Sequence, residues 1–242
     1  MMDSGAIATQ LDGVLAQIEA ACGRSSRAAE EVTLVAVSKR QPLPIVQELV
    51  ALAQARGIKP VLGESYVQEL KAKRAAIGTA AAFHLIGPLQ SNKIRDAVKV
   101  ADVIESVHSL SVLQAIAAEA RKIGKKQSVL FQVNISEDSA KSGFAPHEVA
   151  AAVGEVSSMA DAVSLQGLMT ITALYDTAEE ARGDFRRMAT LRDELVQSGA
   201  HTAFEGSRIK LSMGMSADFG VAIEEGADLV RVGTALFGER ER

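Results

Sequence analysis

Eight short apolar runs rich in β-branched residues recur along the chain, at Val32–Ser38, Lys59–Gly63, Phe83–Gly87, Val103–Val107, Val129–Ile135, Leu165–Ile171, Ile209–Met213 and Leu229–Phe237. Stretches of helical length separate them, most clearly Pro44–Arg56, Tyr66–Ile77, Ser111–Gly124, Pro146–Met159 and Thr177–Gly199. Their apolar residues fall three and four apart, as at Val112, Ile116 and Ala120, the period of a helix with one buried stripe. Nearly continuous apolar strands are what a parallel sheet covered on both faces requires. Eight such alternations in 242 residues predict one α/β domain over 1–242, a (β/α)8 TIM barrel. An open doubly wound sheet would want a glycine-rich phosphate turn after its first strand. That strand ends instead in Val37-Ser38-Lys39-Arg40. An extra N-terminal helix is expected over about Ala6 to Cys22. The eighth run lies so near Arg242 that no eighth helix is expected, and the N-terminal helix is expected to cover the gap beside the last strand.

The formal net charge of −4 lacks the basic excess of a nucleic-acid binder. One cysteine, Cys22, allows no internal disulfide and fits a reducing compartment. His84, His108, His147 and His201 show no ligand spacing, so no metal is expected. The N-terminus lacks the pattern of a signal peptide, and no apolar run approaches the roughly 20 residues of a membrane span. The expectation is a cytoplasmic protein with no membrane and no nucleic-acid partner.

In such barrels the working residues lie at the C-terminal ends of strands. Lys39 emerges there from Leu34-Val35-Ala36-Val37-Ser38. An amine beside an apolar core is pushed towards its neutral form, the nucleophile that attacks an aldehyde. A solvated lysine that snorkels reads equally well from this segment. Ser212-Met213-Gly214-Met215-Ser216 and Gly233-Thr234 follow the last two strands or close them, where barrels frequently hold phosphate. Glycines let main-chain N–H groups approach an anion and hydroxyls add donors, although small residues also simply make turns. Arg231 lies inside the apolar run Leu229-Val230-Arg231-Val232-Gly233, so it must be paired or aimed into a cavity. Pyridoxal 5′-phosphate (PLP) has one aldehyde and one phosphate to hold, which this set matches. Arg231 would then face its pyridine nitrogen, keeping that nitrogen unprotonated and the ring a weak electron sink. His84 reads as a satisfied lining histidine rather than an acid–base catalyst.

The segments Val35-Ala36-Val37-Ser38-Lys39, Gly63-Glu64-Ser65-Tyr66-Val67-Gln68-Glu69 and Phe83-His84-Leu85-Ile86-Gly87-Pro88-Leu89-Gln90-Ser91-Asn92-Lys93 form a wider pattern. So do Gln132-Val133-Asn134-Ile135, Lys141-Ser142-Gly143-Phe144, Gly167-Leu168-Met169, Leu211 to Phe219 and Val230 to Gly238. In order and over nearly the whole chain, they resemble the PLP homeostasis proteins, the YggS/PROSC family of B6-binding proteins. The resemblance implies a barrel of the alanine racemase N-terminal-domain type. It implies PLP held as a Schiff base on Lys39, Arg231 at the pyridine nitrogen, and a phosphate cup from Ser212, Met213, Gly233 and Thr234. Ser65, His84 and Met169 complete the expected cofactor contacts. Ser65 stands where the family usually has Asn, Phe83 where it has Trp, Pro88 where His is common, and His108 where Asp is more usual.

The resemblance implies a binder of PLP and related B6 vitamers in intracellular vitamin B6 homeostasis, without established turnover. Apo PLP enzymes are candidate recipients, and a monomer is favoured. The alternatives are a PLP enzyme such as an amino-acid racemase with weak activity, and a Schiff-base aldolase acting on sugar phosphates. Racemases with this barrel carry a second, β-rich domain, which is not expected here. An aldolase would be colourless as purified.

Overall fold

The computed structural model describes residues 4–238 apart from 139 and 207. Eight parallel strands close into a barrel in sequence order: β1 (Thr33–Val37), β2 (Val61–Glu64), β3 (Ala82–Leu85), β4 (Val103–Val107), β5 (Gln127–Gln132), β6 (Val163–Met169), β7 (Lys210–Met215) and β8 (Leu229–Val232). Closure is made by β1 against β8, with Ala36 opposite Val232. A closed sheet leaves no edge with unpaired main-chain groups. The connecting helices are α2 (Leu43–Ala55), α3 (Val67–Ile77), α4 (Ile94–Val100), α5 (Leu110–Lys122), α6 (Val149–Glu155), α7 (Arg182–Gln197) and α8 (Phe219–Glu224). The expected (β/α)8 barrel is the observed one.

Alternation along the strands divides the core in two. A large apolar layer lies between sheet and helices and includes Leu62, Leu85, Ile104 and Phe131. A small separate plug of Val35, Val61 and Leu229 with Ala82 fills the barrel itself. Further along the axis the interior turns polar, and there the site begins.

The extra helix, α1 (Ser4–Arg24), buries Ile7, Leu11, Val14, Ile18, Ala21 and Cys22. It packs on α2, α8 and a short α9 (Thr234–Phe237), covering the β8–β1 side as expected. The eighth run, however, is not one strand to Phe237. It stops at Val232, and Leu236 and Phe237 donate their N–H groups back to Gly233 O. A short helical turn therefore follows β8, where no helix was expected. Both side chains are buried, and in so short a run burial alone does not separate strand from helix.

Candidate functional site

Lys39 stands half-buried in the turn directly after β1. The next residue, Arg40, has φ 61°, a left-handed conformation uncommon for a residue with a side chain. Because β1 pairs with β8, the turn after β8 adjoins that of Lys39: a Cβ on Gly233 would lie 3.4 Å from Val37 Cβ. Gly233 is half-buried and Thr234 exposed at the rim. The Gly233 and Ala235 N–H groups converge on Ser216 Oγ at 3.1 and 3.3 Å. Two main-chain donors on one oxygen is the coordination an anion oxygen takes.

The sequence Ser212-Met213-Gly214-Met215 shapes the neighbouring loop. Gly214 has φ 91°, and the β7–β8 register shifts between Ser212 and Met215, as an extra residue in a strand requires. Ser212 turns into the barrel and Met213 into the apolar layer outside it. Only the main chain of Met213 is left for a ligand. Asp218 accepts the Met215 N–H at 2.6 Å. Burial pushes its carboxyl above the usual range, opposed by that N–H and by the charge of Arg231.

Arg231 is buried at 4% exposure. It donates through Nη1 to Ser212 Oγ at 2.8 Å and through Nη2 to the Thr170 carbonyl at 2.6 Å. Ser212 donates in turn to Glu105 Oε2 at 2.6 Å. The other Glu105 oxygen meets His84 Nδ1 at 2.6 Å. This chain of four side chains crosses the barrel from β8 to β3. Burial lowers the Arg231 pKa, against the charges of Glu105 and Asp218. Burial pushes Glu105 up, but the hydrogen bonds from His84 and Ser212 and the charges of His84 and Arg231 outweigh it, holding the carboxyl below its usual range.

Not every expected contact is brought to the mouth. Lys39, Ser65, Met169, Ser212, Arg231, Gly233 and Thr234 come from β1, β2, β6, β7 and β8 at or near their C-terminal ends. His84 lies deeper. Its ring lines a cavity of about 740 Å³ at the opposite end, among the strand starts Thr33, Val61, Ala82, Val103 and Leu229. It is linked to the mouth through Glu105 and Ser212. Ser65 follows β2 with its main chain packed on Gly87, where a Cβ would come within 2.3 Å of the Ser65 carbonyl.

One carboxylate, Glu105, was missed as a candidate, and another, Glu64, was placed at a strand end without a role. Glu105 lies inside Val103-Ile104-Glu105-Ser106-Val107, and Glu64 ends Val61-Leu62-Gly63-Glu64. The signal that singled out Arg231, a charge within an apolar run, marks both. Glu64 is fully buried and pairs with Lys73 of α3 at 2.6 Å. Among the described residues no group of three or more His, Cys, Asp or Glu could hold a metal, and no helix is long and apolar enough to cross a membrane.

A strand-end lysine, a turn with two convergent main-chain N–H groups and a buried guanidinium form a donor set that fits a phosphorylated aldehyde. Residues 14–241 match the family described as alanine racemase, N-terminal domain, and the chain is a barrel of that class. The alanine racemase of Clostridium difficile has the same fold at 18% identity, with a TM-score of 0.68 over 98% of this chain and 57% of that one. Two relatives lie nearer. A pyridoxal phosphate homeostasis protein of Pseudomonas aeruginosa is 38% identical, over 97% of this chain and 96% of its own. PipY of Synechococcus elongatus, solved with PLP bound, is 34% identical with a TM-score of 0.80, over 96% of this chain and 100% of that one. The chain belongs to the pyridoxal phosphate homeostasis protein family.

Proposed function

We propose that the chain binds PLP at the barrel mouth, with the aldehyde held as a Schiff base on Lys39, and acts in vitamin B6 homeostasis rather than in turnover. The observation that carries this reading is the adjacency of the end of β1, which Lys39 follows by two residues, to the Gly233–Ala235 turn across the β1–β8 closure. One element offers an amine and its neighbour offers convergent N–H donors, the two functions a phosphorylated aldehyde needs. PLP bound in PipY, at 34% identity, and the name shared by relatives at 32–38% identity support it.

In this reading the N–H groups of Gly233 and Ala235 and the Thr234 hydroxyl receive the phosphate. Ser216, which now accepts from the first two, yields to it. Ser65, Met169 and the Met213 main chain border the ring, and His84 acts from behind through Glu105. Arg231 faces the ring nitrogen and keeps it unprotonated, since a guanidinium cannot accept a proton. When bound, PLP would supply an electron sink, and a cation at that nitrogen weakens it. Holding the cofactor for release to apo-enzymes suits such a site better than carbanion chemistry.

Borohydride reduction of the PLP-loaded chain followed by peptide mapping should find the phosphopyridoxyl group on Lys39, and a different lysine would refute the assignment. Lys39→Ala should lose the near-ultraviolet absorbance of the bound cofactor and keep its circular dichroism. Alanine racemisation at about 1–10³ per second, the usual range of enzymes, would overturn the non-catalytic role.

A further inference from the structure

We propose that the buried Glu64–Lys73 pair, with Glu69, is a positioning device for Lys39, gripping the residue on each side of it. This rests on the reading of Lys39 as the attachment point.

The geometry is two-sided. Ahead of Lys39, the Ser38 hydroxyl donates to Glu64 Oε1 at 2.6 Å, and the Ser38 carbonyl accepts from Lys73 Nζ at 2.5 Å. After Lys39, the Arg40 N–H donates to Glu69 Oε2 at 2.6 Å. Lys73 Nζ joins the two halves, contacting Glu64 Oε1 at 2.6 Å and Glu69 Oε2 at 3.5 Å. Lys39 is thus carried between two anchored peptide units. The left-handed Arg40, φ 61°, is a conformation that persists where surroundings hold it.

The chain has somewhere to go if released. The β1 ladder ends at Val37, and a cavity of about 390 Å³ lined by Arg40, Gln41, Pro42, Glu69 and Lys73 lies along the turn. Nor does the pair suit a purely stabilising role. Lys73 and Glu64 have side chains 7% and 0% exposed, and Glu64 Oε2 has no hydrogen-bond partner among the described residues. Desolvating two charges and leaving an oxygen unmet costs more than apolar packing of the same volume. Fixing one arrangement of a turn is the gain such a pair can return.

A device that aims an amine matters to an aldehyde and not to an alcohol. Affinity is therefore measured for PLP and for pyridoxine 5′-phosphate, which keeps ring and phosphate but cannot condense with lysine. The full chain and its Lys73→Met, Lys73→Arg and Glu69→Gln variants are compared, after borohydride mapping of the parent. Lys73→Met should bind PLP about tenfold more weakly, which is 1.4 kcal/mol, with the alcohol's affinity unchanged within about twofold. Lys73→Arg should recover part of the loss. Amide hydrogen exchange at Lys39, Arg40 and Gln41 should quicken in Lys73→Met.

Equal weakening for both ligands would show that Lys73 only supports the fold, and unchanged PLP affinity would show that Lys39 needs no such aim. Either result overturns the proposal. If Lys73→Met does not fold, Glu69→Gln decides, because its side chain is 30% exposed. It should selectively weaken PLP about threefold, and no selectivity there overturns the proposal as well. A parent with no adduct on Lys39 instead sinks the binding reading itself, a separate outcome.

Discussion

Arg231 and Glu105 are both buried in the barrel, and they are joined through one serine hydroxyl. Neither charge is tolerable alone at that depth, and removing one partner of a buried set typically costs about 3–5 kcal/mol. Glu105→Gln should therefore destabilise the fold by about 3 kcal/mol at neutral pH, read by urea unfolding. The pH dependence has a definite sign. The Glu105 carboxyl is held below its usual range by His84, Ser212 and Arg231 despite its burial. Its contribution is thus fully present above the ordinary carboxylate value of about 4.3 and lost as pH falls through the depressed folded value. The gap between parent and Glu105→Gln should narrow on acidification below about 4.3; a gap independent of pH would mean that the charge of Glu105 contributes nothing. Glu64 runs the other way, since burial raises its pKa against the pull of Lys73 and Ser38. Its ionised form weakens the fold as pH rises, so only the difference between parent and variant isolates Glu105.

At the scale of elements, two strands depend on glycines for reasons a period cannot reveal. At Gly167 of β6 a Cβ would stand 2.0 Å from the Lys210 carbonyl oxygen of β7, so the strands pair there only without a side chain. At Gly214 the positive φ of 91° adds to a Cβ that would meet Ala222 Cβ at 2.6 Å and Phe219 Cα at 2.9 Å. Gly214→Ala should cost about 2–4 kcal/mol, from the left-handed backbone and the overpacking of α8. Gly13 of α1 has no described residue beyond its own helix backbone and chain neighbours within 4 Å of its would-be Cβ, and Gly13→Ala should instead stabilise by about 0.5–1 kcal/mol. Urea midpoints moving in the same direction for both would refute this account of the glycines. The strands were legible because both their faces are buried, which turns each into an apolar run. Helices α4 and α8, of 7 and 6 residues, were not among the clearest stretches, since each gives fewer than two full turns of pattern and, unlike α6, neither is flanked on both sides by further helical turns. Lys39 and Arg231 could be singled out because a charge interrupts or ends an apolar run. The grip of Lys73 on Ser38 could not, because it joins positions 35 apart that only the fold brings together.

For the molecule as a whole, the question is what keeps the barrel shut where its first and last strands meet. The strands pair over Thr33 to Ala36 on one side and Leu229 to Val232 on the other, with the short α9 following β8. The flank is completed by α1, packed on α2, α8 and α9. Just after α1, Arg27 donates to the Ala227 carbonyl at 2.6 Å and to Asp228 at 3.2 Å, tying the connection to the start of β8. The apolar face of α1 buries Ile7, Leu11, Val14 and Ile18 to 3% exposure or less. At about 1.5–3 kcal/mol per large side chain, an upper estimate, these four contribute roughly 6–12 kcal/mol. A domain's entire stability is about 5–15 kcal/mol. Removing the residues up to Arg24 should therefore abolish a cooperative thermal transition, or drive copies to associate through the uncovered face. Leu11→Ala alone should cost about 2–5 kcal/mol. Circular dichroism melting with sedimentation velocity separates the cases. A monomer that still melts cooperatively within a few degrees of the full chain would mean that the eight strands close themselves and that α1 is an appendage.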